Sequence, residues 1–243
     1  MHSFTLAATA LLAVVASASP LSRRQTGAAG TDSKEGNTTF IQQLESAATV
    51  VDRLALLEAS DMVYDFGKAS GNASNTVGNG GHTVKSDRKV FPALVGTGVA
   101  MTVGFLGPCG FNTPHTHPRS SEINIVVQGQ LVTEFTMENG AKTINNNLTQ
   151  YQMTVFPQGA IHTEFNPDCT NAVFVAGFGS EDPGVQQTAQ TFFGLNPQLV
   201  EAVIGGDGTV DGQDVAAFVN VIPKNVALGV KSCLAKCKIP ARK

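Results

Sequence analysis

Pro114-His115-Thr116-His117-Pro118-Arg119-Ser120-Ser121-Glu122 gathers two imidazoles and a carboxylate in one short stretch. In an extended strand alternate side chains share a face, so His115 and His117 can reach one ion together. Pro118 forces a turn, and Glu122 can return a carboxylate from the next strand. Further on, Phe156-Pro157-Gln158-Gly159-Ala160-Ile161-His162 adds a third imidazole. A lone His-x-His is more often coincidence than a ligand pair, but three of the five histidines fall in these two segments. Three neutral imidazoles and one carboxylate suit Mn, Fe, Co, Ni, Cu or Zn, and an octahedral ion held so keeps up to two open positions.

The flanking sequence has the period of strands. Val99, Met101, Val103 and Phe105 alternate with small or polar residues, as do Leu131, Thr133, Phe135 and Met137 before the turn signal Glu138-Asn139-Gly140. Short apolar runs at Ile123 to Val127, Met153 to Phe156 and Ala172 to Phe178 complete the set. Brief strands punctuated by Gly and Pro predict a β-sandwich or barrel. Outside this region the period becomes helical. Ile41, Leu44, Ala48, Val51 and Ala55 form one apolar stripe on a predicted packing helix. Asn196-Pro197 opens a helix with Leu199, Val200, Val203 and Ile204 on its apolar face, ended by Gly205-Gly206. A second helix is expected from Asp211 to before Pro223, and a third with Val226, Val230, Leu234 and Cys237 on one side. Asp207 to Gly212 resembles the start of a calcium loop, but its twelfth position is Phe218 where a bidentate Glu is required; an ordinary capped turn is the simpler reading.

The 243 residues are 42% hydrophobic and only 14% charged, with net charge -3. That composition fills a core and supplies no basic excess for a phosphate backbone, which argues against nucleic-acid binding. Met1 to Ser19, with an apolar run from Leu6 to Ala16 and then Ala16-Ser17-Ala18, reads as a secretory signal peptide. Its apolar run is too short to span a bilayer, and no membrane anchor is expected. Arg23-Arg24 would suit the end of a short propeptide. Sequons at Asn37, Asn72 and Asn147 agree with N-glycosylation on a secretory route. The expected organisation is a signal peptide at 1–18, a leader and packing helix at 19–60, a β-barrel at 61–205 and a helical tail at 206–243.

The motifs together resemble the germin and spherulin branch of the cupin superfamily. Its first motif asks for Gly, His-x-His, Glu and Gly, and His115, His117, Glu122 and Gly129 stand at those spacings. Its second asks for Pro-x-Gly, His and Asn, met by Pro157, Gly159, His162 and Asn166. Asp65-Phe66, Phe91-Pro92-Ala93-Leu94, Asn112-Thr113-Pro114 and Asp182-Pro183-Gly184-Val185 are similar too, so the resemblance covers about residues 61 to 205. Cys109 and Tyr151 stand where the two motifs open with glycine, and the N-terminal cysteine pair of germins is missing. One copy of the motif pair is present, unlike two-domain oxalate decarboxylases. The resemblance implies a mainly β protein: a cupin jelly-roll β-barrel with an N-terminal helix and a C-terminal helical extension. It also implies manganese on His115, His117, Glu122 and His162, secretion to the extracellular space or cell wall, and homo-oligomers.

In this fold the strands bearing His115 and His162 are antiparallel neighbours. Facing residues then have nearly constant summed numbers, which pairs Cys109 with Cys169 unless a bulge intervenes and leaves Cys233 for Cys237; four free buried thiols are the alternative. Germins that oxidise oxalate use an asparagine before the histidine pair to orient it, and Asn112 holds that position; otherwise Asn112 caps a turn before Pro114. Alternation puts Glu164 on the face of His162 and Asn166, where it would exchange protons in the cavity, the alternative being an outward or salt-bridged carboxylate. The expected activity is oxidation or decarboxylation of a small carboxylate such as oxalate. Superoxide dismutation and a non-catalytic wall or coat role remain open.

Overall fold

The computed structural model describes residues 34, 36–69, 76–204, 217, 220–223 and 225–240. The signal segment, Arg23-Arg24, Asn72, the loop at 207–212 and most of the helix expected from Asp211 lie outside them.

Twelve strands among the described residues form two antiparallel sheets. They are β1 (Thr76–Gly78), β2 (Gly81–Ser86), β3 (Ala100–Leu106), β4 (Gly110–Thr116), β5 (Glu122–Gln128), β6 (Gln130–Thr136), β7 (Ile144–Thr149), β8 (Met153–Phe156), β9 (Ile161–Phe165), β10 (Ala172–Phe178), β11 (Gln186–Gln187) and β12 (Val226–Leu228). One sheet runs β1-β2-β3-β10-β5-β8; the other runs β11-β4-β9-β6-β7, with β12 also paired to β4. Their inner faces share a core that includes Leu106, Val126, Leu131, Phe174 and Phe178. Strand β10 shows the alternation cleanly, with Ala172, Phe174, Ala176 and Phe178 all buried. Burying Phe174 alone contributes about 1.5–3 kcal/mol.

Strand β3 turns Met101 outward and keeps Val103 and Leu106 inside. Val99, just before it, and Met101 are 50% and 41% exposed, while Ala100, Gly104 and Leu106 are buried. Gly104 has a steric reason to stay small: a Cβ there would lie 2.1 Å from the ring of Phe174, its partner on β10.

The first helical stripe is two helices rather than one. Helix α1 (Thr38–Ser46) ends at Ala47, whose backbone is extended, and α2 (Val50–Leu54) restarts behind Thr49. The Thr49 hydroxyl accepts the Asp52 backbone N–H at 3.1 Å, and this cap competes with continuation of the helix. The short α3 (Phe66–Ala69) precedes the barrel; α4 (Thr188–Phe193) and α5 (Pro197–Ile204) follow it. In α5 Val200 is buried, whereas Leu199 and Val203 are exposed. The expected third tail helix is also corrected. Val226 lies in β12, which pairs with Gly110–Asn112 of β4, and only Lys231–Lys236 is helical, as α6. An available sheet edge outweighs the helical period there.

All four cysteines are bonded, but not as the register argument expected. The bridges are Cys109–Cys233 and Cys169–Cys237. Between Asn112 and His115 the β4–β9 register shifts: Asn112 faces Glu164 and His115 faces His162, so β4 carries one extra residue. Pro114, within the shift, has no N–H to give the ladder. Beyond the paired residues Cys109 takes a left-handed backbone (φ 58°). It packs with Cys233, Leu234, Phe165 and Leu228 at the end of the barrel. Cys233 and Cys237 lie four apart along the α6 end, and each reaches a different barrel turn rather than the other.

Candidate metal centre

Strand β4 delivers His115, and His117 follows at its end; Glu122 opens β5 and His162 lies on β9. The turns between them are tied together, since the Gly159 N–H donates to the His117 carbonyl at 3.2 Å and the Gln158 N–H to the Ser121 hydroxyl at 3.0 Å. All four side chains are buried, and one donor atom from each lies within 4.8 Å of the others.

Each imidazole is oriented from behind. The Nδ1 of His115 meets the Thr113 carbonyl at 2.8 Å, that of His117 the Gly184 carbonyl at 2.5 Å, and that of His162 the Ala160 carbonyl at 2.9 Å. A carbonyl only accepts, so Nδ1 carries the proton and the Nε2 lone pair of the neutral ring is free. Yet the Nε2 atoms of His117 and His162 lie 3.0 and 3.2 Å from Glu122 Oε2. Two lone pairs and a carboxylate oxygen repel unless a cation, a metal ion or extra protons, lies between them. This donor set fits a divalent ion, with the backbone carbonyls fixing tautomers as they do around bound metals. Phe156 stacks on His162 at 4.3 Å and further limits its ring.

The electrostatics follow from burial and crowding. Burial, then the neighbouring His162 and His117, pushes His115 down to about 3. For Glu122, burial acts upward, but hydrogen bonds to His117 and His162 and their charges overcome it and hold the carboxyl below its usual range. Burial lowers His162, but its hydrogen bond to Glu122 and the charges of Glu164 and Glu122 leave it raised. Burial and the Glu122 charge push Glu164 up to about 8.

Glu164 points inward and is fully enclosed, contrary to the outward or salt-bridged alternative. Asn124 Nδ2 donates to Glu164 Oε1 at 3.2 Å and to Glu122 Oε1 at 3.0 Å. Asn112 sits within β4 rather than capping a turn, and its Nδ2 is 3.5 Å from His115 Nε2. The bulge is what lets Asn112 and His115, three apart, both face the interior. His115, His117, Glu122, Asn112 and Glu164 line a cavity of about 130 Å³. Asn166 lies elsewhere: its amide donates to the Gly107 and Thr170 carbonyls at 2.9 and 2.7 Å and pins two turns. Asn37 caps α1 and Asn147 is exposed on β7.

Three contributors were missed in the sequence. Asn124, two residues after Glu122, could have been found by alternation. Gln187 and Asn225 could not: Gln187 accepts from the Thr113 hydroxyl at 2.6 Å and donates to Asn225 at 2.8 Å, closing the cavity wall with residues remote in sequence.

Residues 69–216 match the cupin family. The chain belongs to the cupin family. Among cupin relatives, spherulin-1A of Physarum polycephalum is 42% identical over 198 residues, 82% of this chain and 78% of its own length. Germin-like protein subfamily 1 member 7 of Arabidopsis thaliana is 35% identical over 150 residues, 61% of this chain and 65% of its own. Among solved structures, recombinant oxalate oxidase in complex with glycolate superposes with a TM-score of 0.57 at 26% identity, covering 68% of this chain and 85% of that one. An oxalate decarboxylase from Bacillus subtilis, at TM-score 0.55 and 17% identity, shares the fold.

Proposed function

We propose that this cupin is a secreted, germin-like protein whose His115, His117, Glu122 and His162 hold one divalent ion, manganese in the native protein, and that it acts on a small carboxylate. The observation that carries this reading is the convergence of four buried donor atoms within 4.8 Å. A bound ion would supply Lewis-acid and redox chemistry. Asn112 would orient the ligand beside it, Glu164 would exchange a proton, and the apolar wall of Phe174, Ala176 and Phe178 would limit water. The oxalate oxidase likeness supports oxidation or decarboxylation of a carboxylate such as oxalate; superoxide dismutation needs only the accessible ion.

Secretion, glycosylation at Asn37, Asn72 and Asn147, and a homo-oligomer complete the reading. The leader and sequons support the first two, and the exposed Leu199 and Val203 of α5 support the third. No helix among the described residues is long and apolar enough to cross a membrane.

A second reading, a non-catalytic wall or coat protein with a structural ion, is favoured by the higher identity to spherulin-1A than to the Arabidopsis germin-like protein. Metal content by mass spectrometry, on secreted protein and on a His115→Ala/His162→Ala variant, tests the centre. About one manganese per chain, lost in the variant, supports it; no metal in either sinks it. Oxalate and superoxide assays on the loaded protein then separate the enzymatic readings from the structural one.

A further inference from the structure

The two disulfides differ in access to solvent, and they lie against each other. Cys109 and Cys233 are 0% and 5% exposed, so no thiol in solution reaches their bond. Cys169 is exposed and Cys237 half-buried, and a bridge so placed is open to thiol attack. The Sγ atoms of Cys109, Cys233 and Cys237 nevertheless lie within 4.8 Å of one another, although only the first two are bonded together. Cys237 therefore belongs to the accessible bridge and adjoins the inaccessible one.

Opening the outer bond leaves Cys237 where it is. Its backbone N–H donates to the Cys233 carbonyl at 2.9 Å, and Nζ of the preceding Lys236 donates to the Pro167 carbonyl and to Asp168 Oδ1, both at 3.2 Å. None of these contacts involves the bond that breaks, so the released thiolate stays beside Cys109 and Cys233. Geometry then selects between the two sulfurs. Cys233 stands one helical turn back, where Cβ atoms are about 5–6 Å apart, whereas a disulfide needs about 3.5–4.5 Å. Cys109 lies on the barrel and carries no such restriction. Attack there expels Cys233, whose thiol has the Pro167 carbonyl at 3.5 Å to donate to.

We propose that Cys169 is a thiol-acceptor site and that Cys237 relays the exchange to the buried bridge, the co-reactant being a small monothiol. In the first step the incoming thiolate attacks Cys169 Sγ: a mixed disulfide forms, the Cys169–Cys237 bond breaks, and its electron pair leaves on Cys237. In the second, the Cys237 thiolate attacks Cys109 Sγ: a Cys109–Cys237 bond forms, the Cys109–Cys233 bond breaks, and Cys233 leaves and takes up the proton the monothiol lost. One thiol enters and one, Cys233, is set free, with two disulfides before and after. The exchange moves the anchor of α6 from Cys233 to Cys237 and leaves Cys169 modified.

The test is incubation of the full, natively folded chain with a few equivalents of reduced glutathione at about pH 8, where thiolate is plentiful. Free thiols are then trapped with N-ethylmaleimide and the non-reduced tryptic peptides mapped by mass spectrometry. Trypsin cuts after Lys236 and so separates Cys233 from Cys237. The expected products are glutathione on Cys169, the maleimide on Cys233 and a Cys109–Cys237 cross-linked peptide. Maleimide on Cys237 with Cys109–Cys233 intact, or maleimide on Cys109, overturns the relay. Glutathione on Cys237, or an unmodified chain, overturns the acceptor site and the relay together. In Cys237→Ser, which lacks the attacking sulfur, opening of Cys109–Cys233 should slow by about tenfold or more at the same glutathione concentration; an unchanged rate overturns the relay as well. If that variant fails to fold, the wild-type peptide map decides by itself.

Discussion

Cys109 is bonded to Cys233 across 124 residues of chain, so the turn that opens β4 is fastened to helix α6. Cys169–Cys237 fastens the same helix to the turn before β10. Between these bridges and the cavity lie β12 and Asn225, whose backbone carbonyl accepts the Thr113 N–H at 3.1 Å. The C-terminal segment therefore supports the strand that delivers Asn112 and His115. Removing the buried bridge with Cys109→Ser/Cys233→Ser should lower unfolding free energy by about 2–5 kcal/mol, and removing the exposed one with Cys169→Ser/Cys237→Ser by less. Urea unfolding of the two variants checks the order, and equal losses would contradict it.

Arg119 holds the loop behind His117. Its guanidinium donates to the Asp182 carbonyl and to Asp182 Oδ1, both at 2.8 Å, and its backbone N–H donates to the Pro183 carbonyl. The next residue, Gly184, accepts from His117 Nδ1. Arg119→Ala should weaken manganese affinity about tenfold, with partial recovery in Arg119→Lys. Competition with a chelator measures it; an unchanged affinity would mean that the backbone contacts suffice.

Tyr151 occupies a left-handed backbone position, with φ 68° and 74% of its surface exposed. A side chain there is strained and gains little packing. Tyr151→Gly should raise stability by about 0.5–1 kcal/mol, read as an increase in Tm. Cys109 has the same backbone strain, but its disulfide makes the glycine exchange destabilising.

Burial, with the Glu122 charge, holds the Glu164 proton up to about 8, against an ordinary carboxyl value of 4.5. Between those values the folded, metal-free chain binds more protons than the unfolded chain, so this group's contribution is full at low pH and declines as pH rises toward 8. Metal-free wild type should therefore lose more stability than metal-free Glu164→Gln between pH 5.5 and pH 8. Urea midpoints at the two values decide it, and parallel losses would show that Glu164 is not the group responsible.

Much of the barrel was legible because strands report themselves locally. The alternation at Leu131 and Thr133, the apolar run at Ala172 to Phe178 and the turn at Gly140 each follow from neighbouring residues. His115, His117 and His162 were legible as candidates because a two-residue strand period and motif spacing bring chemically matched side chains together. The glycine positions held here by Cys109 and Tyr151 also proved informative, since both residues adopt the positive φ that glycine tolerates.

Other features depend on contacts that no local pattern encodes. Thr49 broke the first helix through a cap, and the free edge of β4 drew Val226 into a strand. The disulfide pairing and the inward turn of Asn112 both hang on one bulge, because a single extra residue changes which side chains face one another. The sequence by itself determined the strand content and the residues able to form a metal centre, since residue type and short-range period carry that information. Only the tertiary structure decided that Glu164 is enclosed beside Asn112, that Gln187 and Asn225 close the wall, and that the tail is bound through Cys109 and Cys169. Each of those facts depends on register and burial, which exist only once distant segments have packed together.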